Sequence, residues 1–180
     1  KSKRMADLTL HVLDQTARRL EQASGRATQI GLAVNVSAPL FDDADFVERM
    51  AQRVASLGMI ASRLTLEITE SASIAEVGRA VESLARLRAL GARISIDDYG
   101  TGQSTLKYLK TYPIDEIKID KSFVTNLLDS QGDRILVRST IEMAHDLGYA
   151  VVAEGIETRD CLDMLVEFGC DYGQGWFIEK

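Results

Sequence analysis

Segments with a helical pattern and segments with a strand pattern alternate along the whole chain. Amphipathic segments are each followed by a short apolar run, and the first helix carries Met5, Leu8, Val12, Thr16 and Leu20 on one face. The pattern predicts strands within 30–36, 64–68, 94–97, 116–119, 151–153 and 172–174, with further helices over 46–57, 75–90, 105–110, 134–147 and 160–168. Such alternation indicates an α/β fold in which helices cover parallel strands.

Four of the predicted helices share the same ending. Each ends in an apolar residue followed by glycine, which can adopt the left-handed conformation that closes a helix at little steric cost. The pairs are Leu57–Gly58, Leu90–Gly91, Leu147–Gly148 and Phe168–Gly169. A strand follows each pair within a few residues, so both an open doubly wound sheet and a closed (β/α) barrel fit this pattern.

The positions of the polar residues distinguish these two architectures. Every predicted strand carries polar or charged residues at its carboxyl end, and these are Asn35, Glu67, Asp97, Asp98, Lys118, Asp120, Glu154 and Gln174. A doubly wound sheet needs such residues only beside its switch point, whereas a barrel collects all of its strand ends in one mouth. We therefore predict a (β/α)8 TIM-barrel-like fold, incomplete with about six strands visible, in a single domain over 1–180.

Composition excludes several classes of function. The 180 residues are 46% hydrophobic, and the net charge of -6 with no basic stretch beyond 1–4 argues against binding to a nucleic-acid polymer. No apolar run reaches about 18 residues and no leader pattern is present, so a cytoplasmic location without membrane contact by this segment is expected. Cys161 and Cys170 are too few for a thiolate zinc site.

The adjacent carboxylates of Asp97 and Asp98 point to a metal. Two such charges repel each other unless a cation lies between them, although an Asx turn with a spare surface charge is the simpler alternative. With Asn35 and Glu67 they form an oxygen-rich set suited to Mg²⁺ or Mn²⁺. Two such ions would clamp a phosphodiester and activate water, with Glu154 as a ligand or base. Lys118 could orient that water or neutralise the phosphate, or be an ordinary lysine with a buried stem.

The order and spacing of these residues resemble those of EAL domains, the bacterial phosphodiesterases of cyclic di-GMP. The matching segments are Asn35-Val-Ser37, Glu67-Ile-Thr-Glu70, Asp97-Asp-Tyr-Gly-Thr-Gly102, Lys118-Ile-Asp120, Ala153-Glu-Gly-Ile-Glu157 and Gln174-Gly175. The resemblance implies a (β/α)8-like barrel in which one edge strand can run antiparallel. It also implies that cyclic di-GMP is opened to linear pGpG with two Mg²⁺ or Mn²⁺ ions.

The resemblance also implies roles for single residues. Asn35, Glu67 and Asp97 resemble the ligands of one ion, and Asp97, Asp98 and Glu154 those of the other, with Glu154 also a candidate base. Lys118 resembles the lysine that holds the catalytic water. Glu70 resembles the residue that anchors loop 98–105 and couples metal binding to dimerisation. Asp120, Glu157 and Gln174 resemble residues that line the substrate or lie just behind it.

One departure from the family keeps the alternatives open. The Glu-Ala-Leu motif of the first barrel strand is not in this sequence, so hydrolysis depends on a ligand that the sequence does not contain. Three interpretations remain: a metal-dependent phosphodiesterase, a catalytically inactive cyclic di-GMP receptor, and a scaffold with no nucleotide role. Inactive relatives typically lose acidic ligands, whereas Asp97, Asp98 and Glu154 are all present. The resemblance further implies a homodimer and attached sensor or GGDEF modules, by which a longer protein could be anchored to a membrane.

Overall fold

The computed structural model describes residues 2–22, 30–69, 77–101 and 106–178. Helices and strands alternate within these ranges, and their order is α1 (Ser2–Gln22), β1 (Leu32–Asn35), α2 (Ala44–Ser56), β2 (Leu64–Thr69), α3 (Val77–Ala89), β3 (Arg93–Tyr99), α4 (Leu106–Thr111), β4 (Glu116–Ile119), α5 (Lys121–Thr125), α6 (Gln131–Asp146), β5 (Ala150–Glu154), α7 (Arg159–Glu167) and β6 (Tyr172–Gln174). Two 3-10 helices, Ala38–Asp42 and Gly58–Arg63, flank α2. The predicted anchor Glu70 and positions 102–105 of its loop lie outside the described residues.

The six strands form one parallel sheet whose order is the order of the chain, from β1 to β6. A doubly wound sheet would reverse its direction of winding at a switch point, whereas winding in one direction curls the sheet into a barrel. The sheet is therefore an incomplete barrel of six strands, which confirms the predicted class. All five pairings are parallel, so the antiparallel edge strand that the resemblance allows is not among these six.

The apolar core lies between the sheet and its helices. Alternate residues of each strand share a face, and one face of the sheet carries buried aliphatic residues: Val34, Leu64, Leu66, Ile68, Ile94, Ile96, Ile117, Ile119, Val151 and Ala153. They form one cluster with Met50, Leu84 and Ile141 of the helices. Burying a side chain of this size contributes roughly 1.5–3 kcal/mol. The opposite, concave face carries most of the polar residues of the strands.

Helix α1 is present as predicted, but the apolar residues that it buries are not the predicted ones. Met5, Leu8 and Val12 are 49%, 58% and 41% exposed, whereas Leu10 and Leu13 are buried in the core. The face recognised in the sequence is therefore the one turned away from the sheet. No helix in the described ranges combines the length and the apolar composition that crossing a bilayer requires.

Glycines end the helices where the sequence predicts. The four predicted positions, Gly58, Gly91, Gly148 and Gly169, have φ of 54°, 104°, 81° and 81°. At Gly148 and Gly169 an added Cβ would meet nothing within 4 Å, so the reason for glycine there is the backbone conformation alone. These short closures bring the chain back to the next strand and keep the strands in register.

Candidate metal centre

The register of the sheet places the predicted site residues on its concave face. Asn35 pairs with Glu67, Glu67 with Ser95, and Ser95 with Glu116. Because side chains two residues apart on a strand share a face, Asp97 and Lys118 follow on the same side, one step nearer the carboxyl ends. Glu154 pairs with Gln174 at the same end of β5 and β6. One end of one face therefore gathers the polar ends of all six strands.

A bulge in β3 turns both aspartates of the adjacent pair towards this end. Consecutive residues of a regular strand point to opposite faces, so Asp97 and Asp98 would normally diverge. The register between β3 and β4 slips between Ile96, which pairs with Ile117, and Tyr99, which pairs with Ile119. Asp98 has a φ of 55° in this interval, a left-handed conformation that aspartate tolerates better than most residues. Ligand oxygens of Asp97, Asp98 and Glu154 consequently lie within 4.8 Å of one another.

Lys118 forms ion pairs with three carboxylates on three other strands. Its Nζ lies 3.0 Å from Glu67 Oε1, 2.8 Å from Asp97 Oδ1 and 2.6 Å from Glu154 Oε1. Its side chain is only 7% exposed. Burial alone would lower the pKa of Lys118, but the carboxylates of Asp97, Glu154 and Glu67 outweigh it and raise the pKa above its usual value. The lysine is therefore a fixed positive charge at the centre of the site.

Negative charge nevertheless exceeds positive charge at this centre. Glu67, Asp97, Asp98 and Glu154 bring four carboxylates to one ammonium. Burial, together with the charges of Asp97 and Asp120, raises the pKa of Asp98, which means that its ionised form lacks compensation. Converging carboxylate oxygens in excess of the local positive charge are the donor set that a hard divalent cation prefers. The residues present therefore fit Mg²⁺ or Mn²⁺.

The other two predicted ligands lie next to this group. Glu67 is buried and is linked to it through Lys118. Asn35 is exposed at the end of β1, in register with Glu67. The ligand roles of Asn35, Glu67, Asp97, Asp98 and Glu154 stay predictions.

The residues predicted to contact substrate have different surroundings. Asp120 is buried and caps α5, because its carboxylate accepts a hydrogen bond from the Ser122 backbone N–H at 2.9 Å. Burial would raise the pKa of Asp120, but the hydroxyl and N–H of Ser122 hold it below its ordinary value. Glu157 and Gln174 are exposed beside the mouth. Their roles, like the catalytic roles of Glu154, Lys118 and Glu70, stay predictions.

The loop after Glu154 is held by a close backbone contact with the end of β6. The N–H of Ile156 donates to the Gln174 carbonyl at 3.1 Å, and the Phe177 N–H donates to the Ile156 carbonyl at 3.0 Å. A Cβ at Gly175 would lie 2.7 Å from the Ile156 carbonyl carbon and still nearer to that residue's oxygen and nitrogen. Only glycine allows this approach, so Gly175 helps to fix the backbone beside Glu154.

A polar pair on the concave face was not recognised in the sequence. Arg93 Nη2 lies 3.4 Å from Glu116 Oε2, and Ser95, which pairs with Glu116 in the sheet, is fully buried. The spacing in the sequence could have shown this, because residues two or four positions apart on a strand share a face. Arg93 and Ser95 precede Asp97 by four and two residues, and Glu116 precedes Lys118 by two. The polar lining of the barrel thus begins below the predicted mouth.

Comparison with known sequences gives a consistent match. A family model described as EAL domain matches residues 1–180. The cyclic di-GMP phosphodiesterase PA2567 of Pseudomonas aeruginosa is 39% identical over 176 residues, which are 98% of this chain and 30% of that protein. The cyclic di-GMP phosphodiesterase NbdA of the same organism is 38% identical over 152 residues, 84% of this chain and 19% of that protein. The chain thus spans less than a third of the length of these relatives.

Solved structures give the same match. The structure described as the PaMucR phosphodiesterase in complex with c-di-GMP superposes with a TM-score of 0.86 at 34% identity, and the match covers 97% of this chain and 71% of that one. The EAL domain of Mycobacterium smegmatis DcpA superposes with a TM-score of 0.84 at 35% identity, and the match covers 95% and 76%.

Proposed function

The chain belongs to the EAL domain family, and from that premise we propose that it binds cyclic di-GMP and, in a domain completed by the first-strand glutamate of the Glu-Ala-Leu motif, hydrolyses it to linear pGpG in a metal-dependent reaction. The observation that carries the proposal is the convergence of Asp97, Asp98 and Glu154 oxygens within 4.8 Å, beside the Lys118 ammonium. The names of the two Pseudomonas relatives support the same substrate.

We propose Mg²⁺ or Mn²⁺, two ions per site, as the cations of this centre. Asn35, Glu67 and Asp97 would hold one ion, and Asp97, Asp98 and Glu154 the other. Bound there, the ions would supply charge neutralisation at the phosphate and would lower the pKa of water. The strand ends of one sheet hold these carboxylates close together, so the chain supplies the ions with ligands that are already in place.

Two residues would act on the attacking water. Glu154 would accept its proton, because its partly exposed carboxylate lies at the mouth among the converging oxygens. Lys118 would donate to the water or to a phosphate oxygen and so offset the charge that grows there.

Substrate contacts are proposed for the residues around the mouth. The exposed side chains of Glu157 and Gln174 would meet the nucleotide, and Asp120 would position the start of α5 beneath it. Glu70 would anchor the neighbouring loop, and the family resemblance supports self-association through that loop. Because the relatives are much longer than this chain, sensor or GGDEF modules are proposed as covalent partners.

Turnover of cyclic di-GMP tests the proposal. The complete domain, which includes the first-strand Glu-Ala-Leu segment, is incubated with the nucleotide and Mg²⁺ or Mn²⁺, with and without excess chelator, and linear pGpG is separated by chromatography. We expect product only with free metal, and none from Asp97→Asn, whose circular dichroism should match that of the parent. Product formation in excess chelator would contradict metal dependence. Stoichiometric nucleotide binding without product, with metal present, would instead identify a receptor.

A further inference from the structure

We propose that Lys118 is the internal counter-ion of the metal-free centre, so that loading of a divalent cation is an exchange in which the cation displaces the lysine from its carboxylates. The inference rests on the proposed metal centre but not on the nucleotide or on hydrolysis. It assigns the lysine a role before substrate arrives, in addition to any role during the reaction.

The geometry of Lys118 is that of a cation in a ligand cage. Its ammonium lies within 3.0 Å of an oxygen of Glu67, Asp97 and Glu154, which come from β2, β3 and β5. The side chain enters from β4, between the strands that it links. Two of the three partners, Asp97 and Glu154, also belong to the group of oxygens that converges within 4.8 Å. The lysine and a metal ion therefore draw on the same carboxylates.

Such a lysine stabilises the site when no metal is bound. Buried carboxylates lose their hydration, and removal of the ammonium paired with them leaves uncompensated charge, which is strongly destabilising. The ammonium offsets part of this penalty and holds strand ends together that would otherwise repel one another. The carboxylates are therefore kept in a ligand-like arrangement before the ion arrives.

The same lysine opposes the ion that replaces it. Two cations on shared oxygens repel each other, and an oxygen paired with the ammonium has fewer lone pairs for a metal. Loading therefore requires Lys118 to give up at least part of its contacts with Asp97 and Glu154. The flexible four-carbon stem of lysine allows such a movement, which would leave the ammonium available for an anion in the mouth.

The test compares Lys118→Met with Lys110→Met, which removes an exposed charge from α4. Thermal unfolding is followed in excess EDTA, and Mn²⁺ binding is measured by calorimetry without nucleotide. We expect Lys118→Met to unfold several degrees below the parent in EDTA and to bind Mn²⁺ at least about tenfold more tightly, because a competing charge is gone. Lys110→Met should match the parent in both assays.

A second variant keeps the test decisive if Lys118→Met does not fold without metal. Adding Glu67→Gln to it removes one uncompensated carboxylate and should restore much of the unfolding temperature in EDTA. Parental stability of Lys118→Met in EDTA, unchanged or weaker Mn²⁺ binding, or failure of Glu67→Gln to restore stability would each overturn the proposal. Absence of cyclic di-GMP turnover by the metal-loaded parent would refute the proposed function and leave this exchange standing.

Discussion

Replacing Gly175 by alanine should damage the site from outside its charged residues. A Cβ at this position would lie 2.7 Å from the Ile156 carbonyl carbon and nearer still to that residue's oxygen and nitrogen. The obstacle is backbone rather than the end of a flexible side chain, so relief requires β6 and the loop after Glu154 to separate. That separation would weaken the hydrogen bond from Ile156 N–H to the Gln174 carbonyl, now 3.1 Å.

The size of the effect follows from these contacts. Overpacking of a rigid site costs about 1–3 kcal/mol, and loss of one backbone hydrogen bond adds about 1 kcal/mol. At about 2–4 °C per kcal/mol for a domain of this size, the unfolding temperature should fall by roughly 4–16 °C. Because Glu154 precedes Ile156 by two residues, Mn²⁺ affinity should fall as well.

Gly132→Ala is the matched control. Gly132 lies in the first turn of α6, and the nearest atom to its added Cβ would be Ser130 Oγ at 3.7 Å. Alanine is the better helix former, so this variant should be as stable as the parent or slightly more stable. Differential scanning calorimetry and Mn²⁺ calorimetry on both variants give the readout. Equal unfolding temperatures and equal Mn²⁺ affinities for the two variants would refute the reasoning.

Two further predictions concern charge and pH. Asp171 accepts the Val151 N–H at 2.8 Å and lies 2.9 Å from His145 Nε2; burial would raise its pKa, but His145 and Val151 hold it below the ordinary value. Asp171→Asn should therefore have a free energy of unfolding about 1 kcal/mol below that of the parent at pH 7, as measured by urea unfolding. A carboxyl group whose pKa is lowered by folding contributes stability above its unfolded-state pKa and loses that contribution as pH falls through its folded-state pKa. The difference between variant and parent should therefore shrink as pH falls below about 4. The opposite sign applies to Asp98, whose pKa is raised by burial and by neighbouring charges. Asp98→Asn should raise the unfolding temperature in chelator at neutral pH, and this gain should disappear as pH falls through the raised pKa of Asp98. The same variant should be stabilised less by Mn²⁺ than the parent is. A lower unfolding temperature than that of the parent in chelator would contradict this prediction.

Local sequence signals were sufficient for most of the fold. Strands β4 and β6 begin and end where their apolar and polar pattern predicts, and the helix-ending glycines adopt the left-handed conformation. The strand-end positions of the candidate ligands were likewise readable, because a strand's side chains alternate with a period of two. Winding in one direction then brings these ends together.

The remaining features depend on contacts that are distant in sequence. Asp98 adopts a φ of 55° where β3 slips against β4, and no local pattern records that slip. The three ion pairs of Lys118 depend on the curl of four strands. Helix α1 carries apolar residues on more than one face, so its periodicity alone did not show whether Leu8 or Leu10 packs on the sheet. The short α5 has only five residues and begins at an Asp120 cap rather than with an apolar period.

The most direct test of the account is to locate Mn²⁺ by anomalous scattering in crystals of the protein. The account predicts an anomalous peak within direct coordination distance of carboxylate oxygens of Asp97, Asp98 and Glu154, with the Lys118 ammonium moved away from at least one of its present partners. Mn²⁺ bound only on another surface, with the three ion pairs of Lys118 unchanged at saturating metal, would contradict it.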